Sequence, residues 1–198
     1  MAITRLGGAN AITGTIPQGN IANASLGAVT ALPAAIATGK VLQVVSTTKT
    51  DTFTSQSTSY TDITGMSASI TPASTSNKIL VLVNLNVGMN TDDRWHMYQL
   101  VRGSTAIAIG DASGSRTQAS AGSVRMTATG SANFVDEKTI TFLDSPSASS
   151  STTYKLQGKC QSDSSPEFAV NRPGQFPDAN YIALTASTIT LMEVAGWL

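Results

Sequence analysis

One histidine and one cysteine bound the chemistry this chain of 198 residues can do by itself. His96 stands between Trp95 and Met97 in a strand-like run, where alternation turns it to the face opposite its neighbours. A Ser-His-Asp triad would need this imidazole, yet no Gly-x-Ser-x-Gly turn is present to raise a serine nucleophile. A zinc site of several imidazoles and thiolates cannot be assembled within one chain. Three copies of His96 around a threefold axis would be required. Cys160 closes a run in which Tyr154, Leu156 and Gly158 share its face, so it reads as a small buried apolar residue. As a nucleophile it would need a basic neighbour, and His96 is the one imidazole on offer.

The carboxylates are scattered. Asp92 and Asp93 fall in a turn over 90–94, and Asp136 and Glu137 precede a strand. Each pair reads as a solvated turn rather than an acid/base couple. A calcium site at Asp92 or Asp93 would suit hard oxygen ligands, but the Asp-x-Asp-x-Asp-Gly spacing is absent. A glycosidase needs two carboxylates at a set separation, and nothing marks such a pair. An enzyme acting on host polysaccharide would be revealed by loss of cleavage on substituting Asp92, Asp93, Asp136 or Glu137. There is no phosphate-binding loop and no dinucleotide fingerprint. The sequence implies no cofactor, no metal and no enzyme.

Recognition chemistry is better represented. Residues 161–181 form a long irregular stretch holding Phe168, Arg172, Phe176 and Tyr181 among Pro166, Pro173 and Pro177. Loops of this length in a compact domain are functional or disordered. Aromatics and arginine dominate recognition surfaces, and aromatic faces also suit glycan rings. The same aromatics would equally serve to pin the loop onto the body or onto a neighbouring subunit. A second loop of small residues, 110–122, carries Arg116 and Gln118.

The elements that must position these residues read as strands. Residues 40–45 are strand-like and 46–59 form a Thr/Ser-rich stretch of β propensity. Two short strands, 60–64 and 66–71, flank Gly65, and 72–77 is a turn cluster. In 78–87 Ile79, Val81, Val83, Leu85 and Val87 occupy one face, and Leu80 and Leu82 share the other with Asn84 and Asn86. Residues 95–101 and 106–109 pair around a turn at 102–105. Further strands follow at 123–129, 138–143, 152–160 and 188–194, the last expected inside a sheet. No stretch has convincing helical periodicity. Many short strands at regular spacing predict an all-β fold, an antiparallel β-sandwich of jelly-roll type.

Residues 7–39 are different, because they carry no charged side chain. Ile12, Ile16, Ile21, Leu26, Val29, Leu32 and Ile36 recur among Gly, Ala, Asn, Thr and Ser. The glycines weaken a lone helix, Pro17 and Pro33 interrupt it, and no run reaches the roughly 20 apolar residues of a membrane span. Such a stripe is best buried against copies of itself or against a larger assembly. The start lacks the continuous apolar segment of a secretory signal. The domain division expected is therefore an extended attachment segment over 1–38 and a sandwich over 39–198. Charged residues make up 12% of the chain, about half the usual ~25%, and 12 Lys+Arg balance 12 Asp+Glu. No basic surface argues for nucleic acid.

The runs GKVLQVV at 39–45, SITP at 69–72 and NKILVLV at 77–83 are similar to a family of small bacteriophage fibre proteins of aquatic phages. So are YQLVRG at 98–103, GDAS at 110–113, TFLDSP at 141–146, TYKLQ at 153–157 and ITLME at 189–193. The leader, with ITGTI at 12–16, resembles the attachment and shaft segments of such fibres. The resemblance covers most of the chain from Gly39 to Val194. It implies a virion protein made in the host cytoplasm, a homotrimer with a C-terminal knob, and no identified receptor residues. The expected role is a tail fibre that attaches to a host receptor or glycan. Ile12, Ile16, Ile21, Leu26, Leu32 and Ile36 would anchor it to other virion proteins and join the subunits. A capsid decoration or head-fibre protein, gripping the shell by the same segment, is the alternative.

Overall fold

The computed structural model of the chain describes residues 41–90, 94–125, 133–160 and 167–195. The leader and the Asp92-Asp93 turn lie outside them. The described chain forms β1 (Val41–Lys49), β2 (Phe53–Ser55), β3 (Thr61–Ile70), β4 (Lys78–Met89), β5 (Arg94–Arg102), β6 (Thr105–Ile107), β7 (Ala121–Arg125), β8 (Asp136–Asp144), β9 (Thr152–Cys160), β10 (Phe168–Val170) and β11 (Ser187–Val194). All pairings are antiparallel. Among the described residues no helix is long and apolar enough to cross a membrane.

Three strand positions are interrupted. β1 and β2 follow one another along the partners β11 and β10. β10 and β11 follow one another along the same edge of β4, and β6 and β7 do so along β5. Counting each such pair once leaves eight strands in two sheets of four. Sheet A runs first, eighth, third, sixth (β1/β2, β10/β11, β4, β8). Sheet B runs second, seventh, fourth, fifth (β3, β9, β5, β6/β7). This is the strand order of an eight-stranded jelly roll, two interleaved Greek keys closed face to face.

The alternation in the sequence builds the core between the sheets. Ile79, Val81, Val83, Leu85 and Val87 of β4 are all buried, as are Ile189 and Leu191 of β11, Tyr98 and Leu100 of β5, and Tyr154 and Leu156 of β9. Along most of these strands inward residues alternate with half-buried or exposed ones, the signature of a sheet wet on one side, whereas Val101 is buried beside Leu100. β11, the closing strand, lies between β1 and β4, inside its sheet as expected.

Three expectations are corrected. The segments on either side of Gly65 are one strand, β3, not two. Its register passes from Asp62↔Gln157 to Ser67↔Lys155. Four residues therefore stand opposite Leu156, and Gly65 takes up the bulge with φ of 86°. The stretch read as irregular over 161–180 also contains a strand, the three residues of β10. In addition Asp136 and Glu137 do not precede β8 but belong to it.

The strand directions give the sandwich two unlike ends. The proximal end holds Val41, where the described chain begins, and Val194, near where it stops. Its connections are the short turns 71–77, 103–104 and 145–151. Arg102 donates to both carboxylate oxygens of Asp144 at 2.8 Å, and the Tyr154 hydroxyl donates to the same group at 2.6 Å. That buried carboxylate of sheet A thus ties down two strands of sheet B. The distal end carries the ends of β2, β4, β7 and β9, the starts of β3, β5, β8 and β10, and the connection 56–60.

On the outer face of sheet A one row differs from the rest. Register places Val44 opposite Met192, Met192 opposite Leu80, and Leu80 opposite Leu143. The next row toward the distal end is Ser46, Thr190, Leu82 and Thr141. The apolar row thus crosses all four strands near the proximal end, with Val44 55% and Leu143 54% exposed at its two edges.

Candidate functional site

Asn171 starts an excursion from the interrupted strand β10/β11, and Ala186 ends it. Asn171 has a left-handed backbone, φ 63°, which asparagine tolerates better than most residues. That turn takes the chain off the edge of β4. Its side chain is fully buried and closes the base of the excursion. The amide donates to the carbonyls of Lys49 at 2.8 Å and Asp51 at 2.9 Å, and its oxygen accepts from the Ser187 hydroxyl at 2.6 Å. The Asn171 carbonyl accepts from the Thr185 amide at 3.0 Å, so entry and exit are clasped together.

The outgoing arm, 172–174, then lies on the distal end of β4. A Cβ on Gly174 would meet the Met89 carbonyl oxygen at 1.9 Å, and one on Gly88 would meet Arg172 O at 2.5 Å. Glycine is required at both positions for the backbones to approach this closely. The Arg172 guanidinium donates to Glu167 at 3.1 Å and to the carbonyls of Pro173 and Gly174, and lies 4.9 Å from the Phe176 ring centroid. Beyond this stem the tip is open. Phe176 is 49%, Tyr181 66% and Leu184 68% exposed. A depression of about 210 Å³ is lined by Phe176, Pro177, Asp178, Ala179, Ile182 and Leu184.

The sequence-predicted residues therefore separate by role. Phe176 and Tyr181 stand at the exposed tip. Arg172 is mostly buried and organises the stem. Phe168 is corrected: it belongs to β10, is fully buried, and packs edge-on to Tyr98 at 5.4 Å and against Phe53 at 6.1 Å. No partner can reach it, because alternation on β10 directs it between the sheets. Arg116 belongs to a second excursion, 108–120, on sheet B, which also begins with a left-handed residue, Ala108 at φ 53°. Its guanidinium is exposed and donates to Ser113 O and Oγ at 3.3 and 3.2 Å. The six aliphatic residues assigned to anchoring lie outside the described residues.

Asn171, Leu184 and the exposed Phe134 were not picked out from the sequence. The run Asn171-Arg172-Pro173-Gly174 carries a usable turn signal for the first. Nothing in the pattern distinguishes exposed Leu184 or Phe134 from core residues.

His96 and Cys160 face each other across β5 and β9, inside the sandwich. Burial pushes His96 down to about 4, aided by the Lys138 charge and opposed by Asp136. Its Nδ1 shares a 2.7 Å hydrogen bond with the buried Tyr98 hydroxyl. Burial pushes the Cys160 thiol up to about 11. A neutral imidazole and a protonated thiol without access to water are core groups. The His96 ring is buried, so it does not present itself at the surface to a threefold axis. Asp136 pairs with Lys138 at 2.5 Å, and Glu137 accepts from Asn84 at 2.7 Å. Among the described residues no cluster of three or more His, Cys, Asp or Glu could hold a metal ion.

No family model matches the chain, and no curated protein matches it. Solved structures with a similar strand layout include infectious bursal disease virus, Gx strain, and the T=1 particles derived from that virus. Each has a TM-score of 0.40 and 18% identity, over 77% and 78% of this chain. The VP2 subviral particle of the same virus gives 0.39 and 14% over 77%. The match spans 36–42% of those chains, so this chain corresponds to well under half of each. A likeness this partial concerns strand layout and carries no argument about role.

Proposed function

We propose that the chain is a virion structural protein, a trimeric phage fibre whose jelly-roll knob touches the host surface with its distal end. The polarity of the knob carries this reading. The leader joins at Val41 on the proximal end, among short turns. The clasped excursion, with Phe176 and Tyr181 exposed, is built against the distal end of β4 at Met89. A stem locked by a buried asparagine under an exposed aromatic tip presents contact groups at little ordering cost. The sequence resemblance to small phage fibres selects a virion, and a fibre, from the many roles a jelly roll can take.

The apolar row Val44, Met192, Leu80 and Leu143 supports the trimer. It lies at the end where the leader joins, so leaders drawn together by Ile12, Ile16, Ile21, Leu26, Leu32 and Ile36 bring copies of this row together as well. Its occupant is a second copy of this chain. Threefold repetition would multiply weak distal contacts by avidity.

The test uses the virus that encodes the chain. Replacing residues 175–184 by a Gly-Ser stretch of equal length should abolish adsorption to the host and leave particle yield unchanged. Unchanged adsorption overturns the contact role of this loop. Deleting residues 1–38 should remove the protein from particles. Loss from tails fits the fibre, and loss from heads assigns the protein to the capsid.

A further inference from the structure

The distal part of sheet B carries a second constellation, on its outer face. Tyr60 stands immediately before β3, Lys159 is next to the end of β9, and Trp95 is the second residue of β5. The Lys159 ammonium lies 5.4 Å from the ring centroids of both Tyr60 and Trp95, within cation–π range of each. The Tyr60 hydroxyl donates to the Gln118 carbonyl at 2.9 Å. Excursion 108–120 leaves from the far side of β5, and strands are spaced about 4.8 Å apart. It must therefore fold back over this face to reach Tyr60, which fixes the ring.

The adjoining rows are polar and already ordered. Gln99 donates to Gln157 at 2.7 Å, Gln157 donates to Asp62 at 2.7 Å, and Lys155 donates to Asp62 at 2.8 Å. Asp62 thus neutralises Lys155, and its two hydrogen-bond donors hold its carboxyl below the usual aspartate range. Among the described residues no carboxylate is paired with Lys159. Among the described residues it is a charge of the platform with no carboxylate partner, and two aromatic rings hold it in place.

We propose that Tyr60, Lys159 and Trp95 form a binding site for an anionic saccharide, a sugar ring bearing a carboxylate or sulfate. The acidic group pairs with the Lys159 ammonium, the C–H faces of the sugar lie against the aromatic faces, and hydroxyls meet the Gln99–Gln157 amide chain. Aromatic side chains suit the apolar faces of sugars, and a charge-assisted hydrogen bond supplies selection for acid. The proposal rests on the reading of the knob as a host-surface binder and names the class of molecule it meets there.

The experiment is affinity electrophoresis of the full chain in gels containing polygalacturonate, dextran sulfate or neutral dextran. Because 12 cations balance 12 anions, net charge alone drives no retention. Retardation is expected with at least one acidic polymer and not with dextran. Lys159→Gln should weaken it about tenfold, the usual scale for losing a hydrogen bond to a charged group. Lys78→Gln, at the proximal end of sheet A where Lys78 donates to Ser145, should leave it nearly unchanged. Trp95→Ala should weaken it and Trp95→Phe restore most of it, with thermal melting confirming that each variant is folded. Absence of retention, equal retention by dextran, or equal losses in Lys159→Gln and Lys78→Gln overturns the site. The 175–184 replacement separates the two readings. If it retains saccharide binding and loses host adsorption, both surfaces act. If adsorption survives it but fails in Lys159→Gln, this site stands and the loop assignment falls.

Discussion

The histidine part of the knob's acid stability is assignable to a single side chain, because the chain has no histidine besides His96. Its folded value, about 4, lies below the ordinary 6.5 because burial penalises the imidazolium. Between those two pH values the unfolded chain binds a proton that the folded chain refuses. Stability therefore rises with pH through this window and is lost as pH falls from 6.5 toward 4. The full change is on the order of 3 kcal/mol. We expect the imidazole C–H resonances to titrate near 4, and His96→Gln to flatten the melting temperature between pH 6.5 and 4. A ring titrating near 6.5 would mean that it meets water. That His96 turns away from Trp95 and Met97, and that Cys160 is a small buried residue, was legible in the alternation, but alternation alone left His96 as either a structural or a surface residue. The burial of Phe168 was not. Its three-residue strand is too short to show a period and lies among prolines and glycines that read as loop.

At the scale of elements the two excursions follow one design. Each breaks a strand position without breaking the sheet, because the strand resumes along the same partner, and each departs through a left-handed residue. Asn171 is the better clasp, and its two contributions can be separated. Asn171→Ala loses three side-chain hydrogen bonds, two buried and one part-buried, a cost of roughly 3 kcal/mol, and also forces a left-handed alanine. Asn171→Gly loses the same bonds and relieves the backbone. Urea unfolding should find both variants destabilised, alanine by about 1 kcal/mol more. Equal losses would show that φ at 171 carries no strain, and two stable variants would remove Asn171 from the stem. The alternating strands were readable because each buries one face against the core. The interruptions were not, since pairing of 168–170 and 187–194 with one edge of β4 is a long-range fact with no local period. Gly65 shows the same limit: a glycine between two β runs reads as a turn, and only pairing with β9 reveals a bulge.

At the scale of the whole molecule, the position of the apolar row makes assembly testable in parts. Sedimentation of the full chain and of a chain starting at Gly39 distinguishes where subunits join. A trimeric full chain with a monomeric shorter chain places assembly in the leader. Trimers in both place it in the sandwich, and then Leu143→Glu and Leu80→Lys should dissociate the shorter chain. A charge in that row would face the partner's apolar row without compensation. Neither substitution touches the inward face of β4 or β8, so the melting temperature of the separated knob should hardly move. A full chain that stays monomeric at high concentration would overturn the self-assembling fibre. It would leave a decoration protein, whose leader gains its partner only on the particle, and the exposed row of sheet A would then face the shell instead of a second copy.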